Sequence, residues 1–343
     1  MNLSKSLAAT LIAGSSFFGA AAVAEEINVY SYRQPELLKP LTDAFEAETG
    51  IKANVLFAKN GLVDRLGSEG ENSPADVLLT VDVGRLDAMK QAGIWQAIPT
   101  DITAKIPGEF VDPDGAWAAL SLRARIFYVS KDRVSDEELS YADLANPKWQ
   151  GRVCTRSGQH AYNIGLIAAQ IANEGEEATK TWLEGVRDNL ARKPTGNDRA
   201  QVKAIFSGEC DISIGNTYYM GKMVTNDKEP EQKEWAASVR LVFPGAAQNK
   251  THVNISGVGL AKHAPNLDGA KKFIQFLLSE KAQSIYAETN FEYPVLPGVE
   301  ASDLVKGWGE LKADDLSLAE IADKRDEASK LVDEVKFDEG PQN

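Results

Sequence analysis

The stretch Pro74-Ala75-Asp76-Val77-Leu78-Leu79-Thr80 constrains this chain most. Its apolar residues run on without alternation, the pattern of a strand covered on both faces in a parallel sheet. The flanking sequence agrees. Ile27-Asn28-Val29-Tyr30-Ser31 reads as a first strand and residues 51–57 as a second. Between them, Leu37, Leu38, Leu41, Ala44 and Phe45 share one face of a helix over 35–49, which Gly50 ends. Pro40 inside that span predicts a kink or a later helix start. Short helices follow over 61–67 and 86–92. Strand alternating with helix predicts an α/β fold with a mainly parallel sheet.

The pattern changes at Trp117. "WAALSLRARIFYV", 117–129, reads as one long extended segment. A second α/β block follows, with strands over 151–156, 211–215 and 239–243 and helices over 164–172, 179–190 and 199–206. Another extended segment, 252–261, leads into the helical run "DGAKKFIQFLLSEKAQSIYAE". The tail, 312–343, is charged, with a helix over 316–333. Two lobes joined by extended crossovers leave a cleft between them. Ligands of open α/β sheets sit beyond the carboxyl ends of the strands, where Tyr30–Arg33 and Asn216–Tyr219 lie.

Lys5, the small apolar residues of 7–23 and Ala22-Val23-Ala24 read as a signal peptide over 1–24 with its cleavage signal. About 319 residues remain, enough for two domains. Loss of Lys5 takes the formal charge from −13 to −14, which argues against nucleic acid and anionic membrane surfaces as partners. The two cysteines, Cys154 and Cys210, predict a disulfide in an exported chain. With only His160, His252 and His263 beside them, a thiolate or imidazole metal site is the weaker reading.

"NTYYMG", 216–221, then stands out. If the strand ends at Gly215, Asn216 or Thr217 can cap a helix, and both Tyr218 and Tyr219 are freed from strand alternation. "SGQHAYN", 157–163, puts Tyr162 at another strand-to-helix junction of the same lobe. A free phenol ionises near pH 10, so a phenolate at neutral pH calls for a strong Lewis acid. Ferric iron, hard and selective for anionic oxygen, is one. Three phenolates would neutralise it and leave positions open for an external anion. Arg33 ends the first strand, and Arg123 and Arg125 share a face of the extended segment. Guanidinium forks fit planar oxyanions. The sequence does not choose between Arg123 and Arg125. The competing reading is one tyrosine in the core, one at a rim, and arginines in surface or interlobe ion pairs.

The segments "NVYSYRQPELL", "SPADVLLTVD", "RARIFYVSKDRV", "NDRAQVKAIFSGECDISIGNTYYMGKM", "THVNISGVGLAKHAPN" and "YPVLPGVE" span nearly all of the expected mature chain. In this order, and with the paired tyrosines, the chain resembles the periplasmic ferric-ion-binding proteins of bacterial ABC importers, including their cyanobacterial relatives. The resemblance implies a two-lobed, type II-like solute-binding fold, with central mixed sheets flanked by helices and a cleft that closes on one ferric ion. The lobes are expected over 25–123 plus 250–300 and over 124–249 plus 301–343. The family's motif tyrosines fall on Tyr162, Tyr218 and Tyr219. Many members add a His or Tyr ligand after the first strand, where "SYRQPE" has Gln34 and Pro35. That departure implies the subgroup using three tyrosines and a synergistic anion, carbonate or bicarbonate. Arg33 fits the anion role, with Ser157 and Gly158 as further donors and Tyr32 and Gln34 in support. Tyr30 reads as core, and Tyr128, Tyr286 and Tyr293 as packing residues. The resemblance further implies a monomer in the periplasm, serving a membrane permease and its ATPase. A second reading keeps the fold but binds an organic anion or polyamine. An enzyme is the weakest reading, since His160 near Ser157 is the nearest thing to a nucleophile–base pair.

Overall fold

The computed structural model describes residues 25–248 and 250–342, and the expected signal peptide lies outside them. Its strands are β1 (Glu26–Ser31), β2 (Lys52–Phe57), β3 (Val77–Thr80), β4 (Trp95–Gln96), β5 (Trp117–Ser130), β6 (Val153–Cys154), β7 (Ile212–Asn216), β8 (Val239–Val242), β9 (Val253–Ala261) and β10 (Tyr293–Pro294). The main path runs β2-β1-β3-β9-β5-β7-β6. β1 pairs in parallel with β2 and β3, and β6 with β7. The expected "mainly parallel" sheet is instead mixed, because the long crossovers β5 and β9 run antiparallel to each other and to their neighbours.

β5 is the strand shared by the two halves. Trp117–Ala124 pairs with β9, whereas Arg125–Ser130 lies between β7 and β8. Every residue of β5 is buried. The change of partner is sealed by Tyr141, whose hydroxyl donates to the Arg125 carbonyl at 2.5 Å and accepts from the His252 N–H at 3.1 Å.

Eleven helices matter below: α1 (Pro35–Thr49), α2 (Leu62–Glu69), α3 (Val83–Gln91), α4 (Ala161–Glu174), α5 (Glu176–Asp188), α6 (Asp198–Phe206), α7 (Tyr218–Val224), α8 (Leu267–Leu277), α9 (Glu280–Asn290), α10 (Leu318–Asp323) and α11 (Arg325–Glu334). α1 starts at Pro35, where a missing N–H costs nothing, and runs through Pro40 to Gly50, which takes a left-handed φ of 72°. Its buried Leu38, Leu41 and Phe45 face the core, and Phe45 meets Phe273 of α8 edge-on at 4.9 Å. The helical run after β9 is two helices, because Ser279 caps α9 by accepting from Ala282 N–H. The tail likewise divides into α10, started by a Ser317–Glu320 capping box, and α11. The strand expected over 151–156 shrinks to β6. Beyond it, the Asn163 amide draws in the carbonyls of Arg156 and Ser157 and bends the chain off the sheet.

Cys154 and Cys210 form the expected disulfide, with Cα atoms 5.9 Å apart and a sequence separation of 56. Closing a loop of that length stabilises by about 4 kcal/mol in the chain-entropy model. Urea unfolding with and without reductant should differ by about that amount, and Cys210→Ser should match the reduced protein.

His252 carries a second expectation. Its side chain is buried, and neither ring nitrogen has a hydrogen-bond partner among the described residues. Burial, then Arg125, push its pKa down to about 3. The unfolded imidazole takes a proton near pH 6.5, while the folded one refuses it. Stability therefore falls on acidification from about pH 6.5 toward pH 3, by about 1.4 kcal/mol per pH unit. Denaturant unfolding at pH 7 and pH 4.5 should show His252→Leu losing about 2–3 kcal/mol less than wild type over that interval.

Candidate metal centre

Both tyrosine elements are strand-to-helix turns of the same half. β7 ends at Asn216 and α7 starts at Tyr218. The expected side-chain cap is not made, because both candidates are held by β5. Asn216 Oδ1 accepts from Arg125, and Thr217 Oγ1 accepts from the Ala124 N–H. Thr217 itself is already helical, at φ −51° and ψ −45°. The turn brings the Tyr218 and Tyr219 rings to 4.3 Å with a 31° tilt. α4 is capped by His160, whose Nδ1 accepts from the Tyr162 N–H at 3.2 Å. Tyr162 is thereby aimed at α7, and its hydroxyl lies 3.3 Å from that of Tyr218.

The three phenols line one cavity of about 390 Å³ that receives residues from both halves of the chain. Burial, reinforced by Tyr162 and Tyr219, pushes the Tyr218 phenol well above its usual range. Burial likewise pushes Tyr219 up to about 12. Ionising Tyr219 unaided at pH 7 would cost about 7 kcal/mol, so Tyr218 and Tyr219 stay protonated unless a Lewis acid displaces the proton.

The lining is cationic. Arg33, Lys59, Arg85 and Arg123 reach it from one side, and Arg156, Arg199 and Lys222 from the other. Arg156 stands 5.3 Å from the Tyr162 ring centre and Arg199 5.4 Å from that of Tyr219. Burial, then Arg33, lower Lys222 to about 8. The carboxylate among the lining residues is Glu292, which pairs with Arg33 at 2.8 Å. Burial alone would raise the Glu292 pKa, but Arg33 and Arg123 outweigh it and hold the group ionised.

The arginines separate the two choices left open by the sequence. Arg123 lines the cavity, with Nη1 on Ser256 Oγ at 3.0 Å and Nη2 on the Ile255 carbonyl at 2.8 Å. Arg125 shares its strand face but is not among the lining residues. Its guanidinium is spent on Asp198, Asn216 and Asn163, at 2.6–3.1 Å. Ser157 and Gly158 are also spent elsewhere. The Ser157 hydroxyl and Gly158 N–H both donate to the carboxylate of Asp338, at 2.5 and 2.7 Å. Tyr32 and Gln34 line the cavity, and Tyr32 lies under Arg85 at 4.0 Å while accepting from the Val63 N–H. Tyr30 is core, bonded to Glu69, and Tyr128 and Tyr286 are fully buried.

The model of the bacterial extracellular solute-binding protein family matches residues 72–307. The chain belongs to that family. This solute-binding protein is 45% identical over 314 residues to iron uptake protein A1 of Synechocystis, covering 91% of this chain and 87% of that one. The ferric iron-binding protein A of Mannheimia haemolytica, solved in an open conformation, superposes with a TM-score of 0.87 at 52% identity, over 92% of this chain and 99% of that one. A Trichodesmium relative solved with iron and citrate ligands gives 0.87 at 40% identity, over 91% and 99%. The fold is thus that of the two-lobed ferric-binding proteins, and the relatives are transport proteins rather than enzymes. No helix of the described residues is long and apolar enough to cross a membrane.

Sequence reasoning missed Arg156, Arg199, Lys222 and Glu292. Arg156 and Arg199 sit six residues before Tyr162 and in the first turn of α6, so their place beside strand ends was a usable signal. Glu292 gave none, because its partner Arg33 is 259 residues away.

Proposed function

We propose that the chain is the periplasmic receptor of an ABC importer, that it holds ferric iron through Tyr162, Tyr218 and Tyr219, and that it delivers the ion to a membrane permease and its ATPase. The observation that carries this is the convergence of three phenols on one cavity, two of them with hydroxyls 3.3 Å apart. Tyr218 and Tyr219, whose ionisation is opposed by burial, suit a cargo acidic enough to displace their protons.

The cationic lining supports a companion anion. A bare trivalent cation is repelled by five arginines and two lysines around the phenols, and a carbonate or carboxylate ligand offsets part of that repulsion. Arg33 and Arg123 are the proposed donors, with Arg156 and Arg199 in reach of the tyrosines. Ser157, Gly158 and Arg125 are not among the lining residues and take no part in this proposal. The lobes are taken as 25–123 plus 250–300 and 124–249 plus 301–343, with the signal peptide cleaved after Ala24. The receptor acts as a monomer. Acid that protonates a phenolate or removes the anion weakens the same site, so release is favoured at low pH.

Titration of the metal-free protein with ferric citrate, with and without bicarbonate, tests this. An orange-red phenolate–iron band should saturate at one iron per chain. A folded, oxidised protein that stays colourless would overturn the reading and favour an organic anion, for which the arginines alone suffice.

A further inference from the structure

Beside the candidate cavity, a polar cluster touches both halves of the chain. Asp82, almost fully buried, caps α3 by accepting from the Gly84 N–H at 3.0 Å. Its other oxygen accepts from Asn254 Nδ2 of β9 at 2.7 Å, and Asn254 Oδ1 accepts from the Val83 N–H at 3.0 Å. The third member comes from the far end of the chain. Arg325 opens α11, pairs with Asp82 at 3.2 Å, and points Nη1 at the Ala161 carbonyl, 3.5 Å away.

Ala161 is the first residue of α4 and directly precedes Tyr162. Gly84 makes the reach possible. A Cβ there would stand 2.1 Å from Arg325 Nε, so the guanidinium lies where only glycine leaves room. A second contact follows at Gly165, where an added Cβ would meet Asn254 Nδ2, His252 Nε2 and Arg325 Nη1 at 3.4–3.5 Å. α3 follows β3 on the β9 side of the molecule, whereas α4 belongs to the half that holds the tyrosines. One side chain therefore spans the start of both helices.

We propose that Arg325 is a positioning residue, which ties the start of α3 to the start of α4 and so makes the place of Tyr162 depend on where the other half of the molecule sits. The inference rests on the tyrosine reading for its consequence in iron retention, but the tie itself stands apart from it. A charged fork suits this task because its two nitrogens engage a carboxylate and a carbonyl on different elements at once. Lysine, a single point donor, satisfies Asp82 without also reaching Ala161.

Hydrogen–deuterium exchange of the metal-free, oxidised full chain reads the tie directly. In Arg325→Ala, amides 83–85 of α3 and 161–163 of α4 should both exchange at least about tenfold faster, while Arg325→Lys restores α3 and leaves α4 fast. Acceleration at only one of the two helices, or at neither, overturns the proposal. Should Arg325→Ala fail to fold, Gly84→Ala displaces the same guanidinium without deleting it and should give the same two-sided pattern. The ferric arm uses a competing chelator: iron should leave Arg325→Ala about tenfold faster than wild type, with the visible band still formed. A twofold change or less in a folded variant overturns the link to Tyr162. If wild type itself takes up no iron, the exchange result still decides the tie, and only the ferric reading falls.

Discussion

Tyr218→Phe should abolish or shift the orange-red ferric band and weaken ferric binding by more than about 100-fold. Loss of a partner that merely supports a metal ligand costs about 10–100-fold, and Tyr218 is proposed as a ligand itself. The substitution removes one oxygen and keeps the ring, so the stacking on Tyr219 at 4.3 Å persists. Its cost to folding should be small, about 1 kcal/mol, the usual size for one hydroxyl contact. Tyr128→Phe is the matched control. That hydroxyl donates to the Asn216 carbonyl at 2.5 Å, in the same half but outside the cavity lining. It should cost comparable stability and leave colour and stoichiometry intact. An unaltered band in Tyr218→Phe would take the paired tyrosines out of iron binding.

The second large effect lies one layer deeper. Asp198→Asn should destabilise the protein by about 3–5 kcal/mol, the range for breaking a buried ion pair by deleting one charge. Asp198 is completely buried and opens α6. Its two oxygens hold Arg125 at 2.8 Å, Arg156 at 3.0 Å and the Asn216 N–H at 2.9 Å. Burial would raise its pKa, but the two guanidiniums outweigh that and hold it below the usual carboxylate range. This contribution is therefore complete above about pH 4 and is lost as acid protonates the group. Asparagine keeps the shape and leaves two buried cations opposite no charge. Denaturant unfolding at pH 7 measures the loss, and a change below about 1 kcal/mol would mean that water has taken over the role of the carboxylate.

The fold was legible where local pattern and tertiary environment agree. The unbroken apolar run at Val77–Thr80 became a fully buried central strand, and the long extended segment became β5 almost to the residue. Disagreement arose where a side chain outbid local preference. Asn163 bends the chain after Cys154, and Arg125 with Ala124 takes up the capping groups of Asn216 and Thr217. The tyrosines were legible because strand ends are predictable places. Their supporting charges were less so. Arg123 and Arg125 lie two residues apart on one face, and the partners that occupy Arg125, namely Asn163, Asp198 and Asn216, lie 38, 73 and 91 positions away from it. The Ser157–Gly158 loop looked free in sequence because its occupant, Asp338, lies about 180 residues on.

The crosslink between β6 and β7 has a consequence for how the tyrosine-bearing turns are held together. Tyr162 and Tyr218 each stand eight residues beyond a cysteine, 154 to 162 and 210 to 218. The cysteines lie beside neighbouring parallel strands, from which the two tyrosine-bearing turns depart. The disulfide thus fixes Cys154 of β6 against the segment that enters β7, with Cα atoms 5.9 Å apart, so the two strands that carry the tyrosine-bearing turns are joined covalently. With the thiols reduced, the pairing of those two strands rests on packing and the short β6–β7 ladder alone.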